Sequence, residues 1–316
     1  MSTKMKAAYI EDFGGPEQIK SGELEKPEPG EGELLINVDA AGVNPVDAAV
    51  VKGMLNEMIP ANFPAVPGWD VSGTVEKRGH SARRFEKGDK VYAYARRPEI
   101  KHGTFAEYIA IPESYVAKRP ERLTAEESGG VPLVGLTAYQ ALFDAGNLKE
   151  GETLLILGAS GGVGSMAIQL AKWKGATVIG VAGSSNQKYM QKLGADESID
   201  YSKGDVGKAV RKAAPDGVDM IFHCSRGDSL KQSADTLKEN GRLISITNSN
   251  PDRRDDVYFE YVFVEPNAVQ LEHLAELADD GHLSVHVSKA YDLGNTAEAL
   301  SEIEKLHTRG KIVITP

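Results

Sequence analysis

The residues best suited to chemistry in this sequence form a glycine-rich turn at 159–164 (ASGGVG), between an apolar stretch at 153–158 and a helix-like stretch. Backbone amides at a helix N-terminus bind anionic groups such as a pyrophosphate, because the helix dipole also favours negative charge there. Gly161 and Gly162 permit that close approach, and Gly164 lets helix and strand pack. The pattern predicts a dinucleotide-binding turn. Its predicted contacts are Ser160, Gly161, Gly162, Val163 and Gly164.

The end of the next predicted strand indicates which dinucleotide the turn would hold. Enzymes that prefer the unphosphorylated cofactor usually carry Asp or Glu about 20 residues beyond the turn, to accept from the ribose 2′-hydroxyl. Ala182 and Gly183 stand there, so no carboxylate is expected to repel a 2′-phosphate. The sequence therefore predicts NADP(H). The residues expected to contact this end of the cofactor are Gly183, Ser184, Ser185, Lys188 and Tyr201.

The hydrophobic pattern of the sequence predicts the strands and helices that would position these residues. Apolar runs typical of buried parallel strands alternate with helix-like stretches, which favours a doubly wound α/β sheet. The predicted strands are 153–159, 177–183, 218–224 and 241–247, and the predicted helices are 162–174, 186–193, 205–214 and 229–239. Residues 1–122 are instead predicted to form short strands interrupted by glycine and proline. After helices at 267–279 and 295–307, a terminal strand is expected to return to this first domain.

Composition limits the class of partner. The chain has 316 residues, with 36 Lys and Arg against 46 Asp and Glu, for a net charge of −10. That balance disfavours nucleic acid and anionic membranes, so a small molecule is the expected partner. No apolar run approaches a membrane span, and the acidic N-terminal residues do not resemble a signal peptide, so a cytoplasmic location is expected. The single cysteine, Cys224, excludes an intramolecular disulfide and is expected to be an inert buried thiol.

Longer motifs occur along nearly the whole chain: AAGVNPVD (40–47), PAVPGWDVSG (64–73), GTFAEYIAIP (103–112), LVGLTAYQAL (133–142), ILGASGGVG (156–164) and HTRGKIVI (307–314). Together they resemble the medium-chain dehydrogenase/reductase superfamily, in its zinc-free, zeta-crystallin-like quinone oxidoreductase branch. The resemblance implies a GroES-like, mostly β catalytic domain at 1–122 and 281–316. It also implies a Rossmann NADP-binding domain at 123–280.

The resemblance also implies that no metal is bound. Zinc-dependent relatives carry a cysteine at the place of Asn44, a histidine at the place of Trp69 and a cysteine near Leu133, and none of these three residues can ligate zinc. The histidines of this chain also lack the clustered spacing of a ligand set.

Further cofactor contacts follow from the resemblance alone. Relatives approach the nicotinamide end of the cofactor near Asn44 and Thr137. They cross the cofactor with the segment that corresponds to Phe263, Val264 and Glu265. After the fourth strand of the Rossmann sheet this chain reads HCSRGD, which departs from some relatives and could alter either the pocket or the packing. Cys224 and Ser225 of this departure are included among the expected cofactor contacts.

The favoured function is transfer of hydride from NADPH to quinones or other conjugated carbonyls, without zinc. Such acceptors need less electrophilic help, because conjugation spreads the negative charge that develops on the product. Asn44 is the candidate catalytic residue. Two alternatives stay open: a reductase of a specific enoyl thioester or biosynthetic intermediate, and a non-catalytic NADPH-binding protein. A homodimer is expected, with the strand near 257–264 as a plausible sheet edge.

Overall fold

The computed structural model describes residues 3–316 of the chain. It contains two compact units, residues 3–133 together with Glu265–Pro316, and Val134–Val264. No helix within residues 3–316 is long and apolar enough to cross a membrane.

The first unit is mostly β-structure. Its strands are β1 (Lys4–Tyr9), β2 (Lys20–Glu25), β3 (Glu33–Val43), β4 (Ala61–Val66), β5 (Asp70–Arg78), β6 (Lys90–Tyr94), β7 (Ile100–His102), β8 (Tyr108–Pro112), β9 (Val116–Lys118), β16 (Val287–Asp292) and β17 (Lys311–Thr315). Seven of them form one sheet in the order β16, β17, β3, β5, β6 and β9, with β8 also paired to β3. The C-terminal strand β17 runs antiparallel to β3 and pairs Ile312 with Val43. This register brings residues from the two ends of the chain to one point.

Helices cover parts of this unit: α1 (Pro45–Val51), α2 (Ala125–Gly129), α8 (Ala268–Asp279) and α9 (Thr296–Ile303). The boundary at 280 expected from the sequence placed α8 in the other domain, whereas the structure groups α8 with the mostly β unit. The cause is packing, because the Tyr92 hydroxyl donates to the Leu271 carbonyl and Leu274 is buried in the same helix. The exact division of the chain into domains stays a prediction.

The second unit is a doubly wound parallel sheet. Its strands are β10 (Thr153–Leu157), β11 (Thr177–Ala182), β12 (Glu197–Asp200), β13 (Val218–His223), β14 (Leu237–Ser245) and β15 (Tyr258–Tyr261). Their order is β12, β11, β10, β13, β14 and β15, with every pair parallel. The order reverses between β10 and β13, which makes this pair the topological switch point. Apolar side chains such as Leu155, Ile179 and Leu243 form the core on the sheet.

Helix α3 (Pro132–Tyr139) precedes β10, and four helices connect the strands of this sheet: α4 (Gly162–Trp173), α5 (Gln187–Lys192), α6 (Val206–Ala213) and α7 (Ser229–Ser233). A π-helical turn, Gln140–Ala145, continues α3. The helix predicted at 229–239 is wrong in its second half, since α7 ends at Ser233 and β14 begins at Leu237. Leu237 pairs with Val218 and joins the apolar core, so sheet pairing overrides local helix propensity.

Candidate functional site

The glycine-rich turn lies at the carboxyl end of β10, where α4 begins at Gly162. Gly158 has a φ of +90°, a conformation that favours glycine, and turns the chain away from the strand. A Cβ atom on Gly164 would lie 2.3 Å from the Gly158 carbonyl oxygen, so only glycine fits there. A Cβ atom on Gly161 would meet nothing closer than 3.6 Å. The turn is therefore closed where helix meets strand and open at Gly161.

This turn fits the diphosphate of a dinucleotide. No side chain caps the N-terminus of α4, whose first amides have no acceptor within the helix. Ser160 and Val163 are half-buried beside the open side. The methyl group of Ala159 is fully buried, and a Cβ on Gly180 of β11 would lie 3.1 Å from it. Alanine is therefore accommodated on the sheet side, where it leaves the open side unobstructed.

The ends of β11 and β12 lie side by side, with Ala182 paired to Asp200. A Cβ on Gly183 would lie 3.3 Å from the Tyr201 hydroxyl oxygen, so these residues are neighbours although 18 positions separate them. Ser184 hydrogen-bonds to the same segment. The structure thus brings together three residues predicted to contact the 2′ end of the cofactor: Gly183, Ser184 and Tyr201. Ser185 and Lys188 are exposed on the segment that follows β11.

One carboxylate lies close to the end of β11, although β11 itself ends without an acid, as the sequence predicted. Asp200 Oδ2 accepts from the Ser184 hydroxyl at 2.5 Å, and Oδ1 accepts from the Ser202 hydroxyl at 2.7 Å and the Ser202 amide at 3.0 Å. Hydrogen bonds from Ser184 and then Ser202 lower the pKa of Asp200 to about 2. An ionised carboxylate of the neighbouring strand therefore lies beside the end of β11. The motif containing it, IDY, is visible in the sequence, but its distance from Ala182 is not.

The residues after β13 contact the glycine-rich turn. A Cβ on Gly158 would lie 2.9 Å from Ser225 Cβ and 3.0 Å from the Cys224 carbonyl oxygen. The Cys224 thiol donates to the Leu157 carbonyl at 3.0 Å, and burial raises its pKa to about 12. Cys224 is therefore a protonated thiol at neutral pH, as an inert structural cysteine requires.

The other predicted cofactor contacts are dispersed in the chain. Thr137 is buried in α3, and Phe263 and Val264 follow β15 at the end of the second unit. Glu265 belongs to the first unit and forms an ion pair with Arg96.

Asn44 is the centre of a buried polar cluster in the first unit, and only 1% of it is exposed. It precedes α1 and follows β3, so the register between β3 and β17 places Lys311 beside it. Asn44 Nδ2 donates to Asp70 Oδ2 at 2.9 Å, and Lys311 Nζ donates to Asn44 Oδ1 at 2.5 Å. A flipped amide would direct its NH₂ at the ammonium and its oxygen at the carboxylate. The cluster therefore fixes the orientation of Asn44.

Hydrogen bonds support an ionised Asp70 and Lys311 in this cluster. Asp70 Oδ1 accepts from the Leu133 amide at 2.6 Å, and Lys311 Nζ donates to the Val43 carbonyl at 2.9 Å and lies 3.6 Å from Asp70 Oδ2. Burial raises the pKa of Asp70 and lowers that of Lys311, while the attraction between the two opposes both changes. The ion pair and its polar contacts offset part of the cost of burying two charges.

A second carboxyl group, Asp47, lies beside this pair. Its Oδ2 accepts from the Asn44 amide at 2.7 Å, whereas Oδ1 is buried without a hydrogen-bond partner in the described chain. Burial raises the pKa of Asp47 to about 8, with the Asn44 amide opposing and the Asp70 charge reinforcing the shift. Asp47 is therefore mostly protonated at neutral pH, which leaves the cluster without net charge. The sequence did not mark Asp47, Asp70 or Lys311 as functional residues, although the first two lie in the motifs NPVD and PGWD.

The three positions at which the resemblance places zinc ligands, Asn44, Trp69 and Leu133, belong to this cluster or adjoin it. Asn44 and the Leu133 amide both bind Asp70, and Trp69 precedes Asp70 and packs edge-on against Tyr94 at 6.1 Å between ring centroids. Residues 3–316 contain no group of three or more His, Cys, Asp or Glu side chains that could hold a metal ion. The donor set present at these positions does not fit zinc, which needs deprotonated ligands.

This chain is similar to known protein families in two parts and to individual proteins over nearly its whole length. The alcohol dehydrogenase GroES-like domain matches residues 30–121, and the zinc-binding dehydrogenase family matches residues 193–314. The chloroplastic quinone-oxidoreductase homolog of Spinacia oleracea is 32% identical, over 96% of this chain and 95% of that protein. The chloroplastic NADPH-dependent alkenal/one oxidoreductase of Arabidopsis thaliana is 30% identical, over 99% of this chain and 80% of that protein.

Solved structures show the same fold. The quinone oxidoreductase from Coxiella burnetii has a TM-score of 0.89 and 31% identity, with 99% of both chains covered. A mycobacterial protein complexed with NADPH has a TM-score of 0.86 and 27% identity, covering 99% of this chain and 100% of that one. The fold and the site define an oxidoreductase of the medium-chain dehydrogenase/reductase superfamily. Within it, the chain belongs to the zinc-free quinone oxidoreductase branch.

Proposed function

We propose that this protein transfers hydride from NADPH to quinones or other conjugated carbonyls, such as enals and enones, without zinc. The observation that carries the proposal is the Asn44–Asp70–Lys311 network, in which Asn44, at a place where the resemblance puts a zinc ligand, is instead bound by a carboxylate and an ammonium group. The relatives named for quinones and alkenals support the acceptor class, and the glycine-rich turn supports a dinucleotide.

The proposed preference for NADPH rests on the residues around the end of β11. Gly183 leaves room beside the Tyr201 hydroxyl, and Ser185 and Lys188 provide polar and positive groups nearby in the chain. A phosphate is recognised by such donors. Asp200 opposes this preference through its negative charge, although three hydrogen bonds from Ser184 and Ser202 already bind its oxygens.

Asn44 is proposed to orient the reacting groups. When bound, the cofactor supplies the hydride; the protein must hold the acceptor and stabilise charge on its oxygen. Asn44 Nδ2 carries two hydrogens, of which Asp70 takes one, and we assign the other to the nicotinamide carboxamide or the acceptor oxygen. Lys311 and Asp70 act through Asn44 as positioning residues.

Initial-rate assays test this function by following NADPH absorbance with quinones, enals, enones and primary alcohols. We expect turnover with conjugated acceptors and little with NADP⁺ and alcohols, because a saturated alkoxide lacks Lewis-acid support here. Asn44→Ala should lower kcat about 10-fold or more, whereas Asn37→Ala, at an exposed position of β3, should not. Efficient alcohol oxidation, or no turnover of any conjugated acceptor, would contradict the proposal. In the second case, enoyl thioesters and a purely binding role are the next candidates to test.

Zinc independence has its own test. Elemental analysis after dialysis against a chelator should find well below one zinc per chain, and NADPH oxidation should persist. Stoichiometric zinc whose removal abolishes activity would refute the proposed zinc independence.

We also propose a homodimer and a cytoplasmic location. β15 forms one edge of the second sheet and exposes Tyr258 and Tyr261, and an unprotected edge favours pairing with a second chain. Sedimentation equilibrium of the wild-type chain and of a Phe259→Pro variant, which interrupts this edge, would test the dimer.

A further inference from the structure

Two buried tyrosines lie on the same face of β6, and they differ in their hydrogen bonds. Tyr92 and Tyr94 are two positions apart in this strand, so their side chains point to the same side of the sheet. Tyr92 is 0% exposed and Tyr94 is 1% exposed. The Tyr92 hydroxyl donates to the Leu271 carbonyl. The Tyr94 hydroxyl has no hydrogen-bond partner within residues 3–316, where its ring contacts Trp69.

The oxygen of the Tyr94 hydroxyl is not enclosed by the protein. In this part of the chain, Asp47 Oδ1 and Arg96 Nε lack both a partner and appreciable exposed surface, whereas the Tyr94 oxygen does not belong to this enclosed set. The small exposed fraction of Tyr94 therefore includes its hydroxyl oxygen. Buried tyrosine hydroxyls usually find a partner, and one that reaches an opening without a partner in the chain calls for one from outside.

Strand register places Tyr94 beside the Asn44 cluster. Tyr94 stands directly opposite Asp70 in the antiparallel pair of β5 and β6, and opposite residues of such a pair have neighbouring side chains. Asp70 in turn accepts from Asn44 Nδ2 at 2.9 Å. Trp69 packs edge-on against the Tyr94 ring and limits its orientation. Tyr94 and Asn44 are thus both neighbours of Asp70, and each has a donor hydrogen without an acceptor within residues 3–316.

The surroundings keep the Tyr94 hydroxyl protonated. Burial raises the pKa of Tyr94 well above its usual value. The Arg96 charge opposes this shift, and three carboxyl groups reinforce it: Asp70, Asp47 and Glu265. Tyr94 therefore offers a hydrogen at neutral pH and does not release it. The Asn44 cluster carries no net charge, so an anion that develops beside it must be stabilised by donors of this kind rather than by a free cation.

We propose that Tyr94 is a catalytic residue whose hydroxyl donates a hydrogen bond to the carbonyl oxygen of the conjugated acceptor. As the acceptor gains hydride, one electron pair of its conjugated π-system moves to this oxygen, and the hydrogen bond stabilises the resulting enolate or hydroquinone anion. Tyr94 keeps its own proton, and the anion takes a proton from water once it is released. The inference rests on the proposed function, from which it takes the hydride donor and the acceptor class.

Phenylalanine substitutions at the two tyrosines form a matched pair. Both keep the buried ring and remove one hydroxyl, but only Tyr92→Phe removes a hydrogen bond made within the chain. In steady-state assays, Tyr94→Phe should lower kcat for enals and enones about 10-fold to 100-fold, as expected for loss of one donor to a developing anion. The loss should stay below about 3-fold for quinones, whose product anion is more delocalised. Tyr92→Phe should change kcat for all acceptors by the same factor or not at all.

Two measurements on the same variants do not depend on turnover. Urea unfolding should show Tyr94→Phe to be at least as stable as wild type, because it removes a buried hydroxyl that lacks a partner, and Tyr92→Phe to be less stable. Calorimetric titration of the NADP⁺-saturated protein with 4-nitrophenolate, a stable conjugated oxyanion, should show about 10-fold weaker binding to Tyr94→Phe than to wild type. The dissociation constant for NADPH should be the same in both.

Reduction of enones by Tyr94→Phe at the wild-type rate would overturn the proposal, and so would an equal loss of kcat for all acceptors. Weaker NADPH binding by Tyr94→Phe would assign the hydroxyl to the cofactor instead, and lower stability would assign it a partner within the chain. A wild-type chain that binds 4-nitrophenolate but reduces no conjugated acceptor would contradict the proposed function. The titration of Tyr94→Phe would then still decide whether this hydroxyl binds the oxyanion.

Discussion

Ser184 donates its hydroxyl hydrogen to Asp200 Oδ2 at 2.5 Å, which joins the segment after β11 to the end of β12. The hydrogen of this hydroxyl is thereby directed at a carboxylate rather than outward. The same carboxylate takes the Ser202 hydroxyl hydrogen. Two serines near the proposed 2′ end of the cofactor thus present lone pairs, so we expect the ionised Asp200 to oppose the binding of a 2′-phosphate there.

Cofactor preference should respond to this carboxylate. We expect the wild-type chain to bind NADPH at least about 10-fold more tightly than NADH, a difference of about 1.4 kcal/mol. Asp200→Asn should increase that ratio, because it removes an ionised group near the phosphate. Asp216→Asn, which removes an equal charge at an exposed position of the same unit, should leave it unchanged. Titration of each variant with both cofactors gives the ratio of the NADH to the NADPH dissociation constant. A ratio for Asp200→Asn equal to or below that of wild type would contradict this prediction.

The buried ion pair between Lys311 and Asp70 should dominate the stability of the Asn44 cluster. Lys311→Met leaves the Asp70 charge buried without its cation, and breaking a buried pair in this way costs about 3–5 kcal/mol. Urea unfolding of the variant should show this loss. The double variant Lys311→Met with Asp70→Asn should recover part of it, since no unpaired charge remains. A double variant as unstable as the sum of both single variants would show that the two residues do not interact.

Asp47 should make stability depend on pH. Its pKa is about 8 in the folded chain and near 3.8 when exposed, so the folded state binds more protons between these values. Stability from this group therefore falls as pH rises from about 4 to 8. Asp47→Asn mimics the protonated form, and we expect its stability relative to wild type to increase from pH 5 to pH 8.5. Asp252→Asn, at an exposed position, should show no such trend.

The thiol of Cys224 should resist alkylation. Burial raises its pKa to about 12, so almost no thiolate exists at pH 8. Iodoacetamide should therefore label the folded chain far more slowly than the urea-unfolded chain, in which the same single cysteine is free. Mass spectrometry gives both rates, and equal rates would mean that Cys224 is accessible and ionisable.

Much of the scaffold could be predicted from local patterns. The helix predicted at 205–214 corresponds to α6 (Val206–Ala213), and the strand at 218–224 corresponds to β13 (Val218–His223). These elements have a strong hydrophobic period and clear breaks at their ends. The helix predicted over residues 234–239 is wrong, because local helix propensity there competes with the pairing of Leu237 to Val218 in the sheet.

The sequence by itself determined the glycine-rich turn and the alternation of strands and helices, because both depend on residues within a few positions of one another. Only the tertiary structure decided that Lys311 meets Asn44 across 267 positions, that Asp200 stands beside Ala182, and that Tyr94 stands opposite Asp70. Strand order and register set these contacts. They follow from burying whole sheets at once, so no short stretch of sequence contains them.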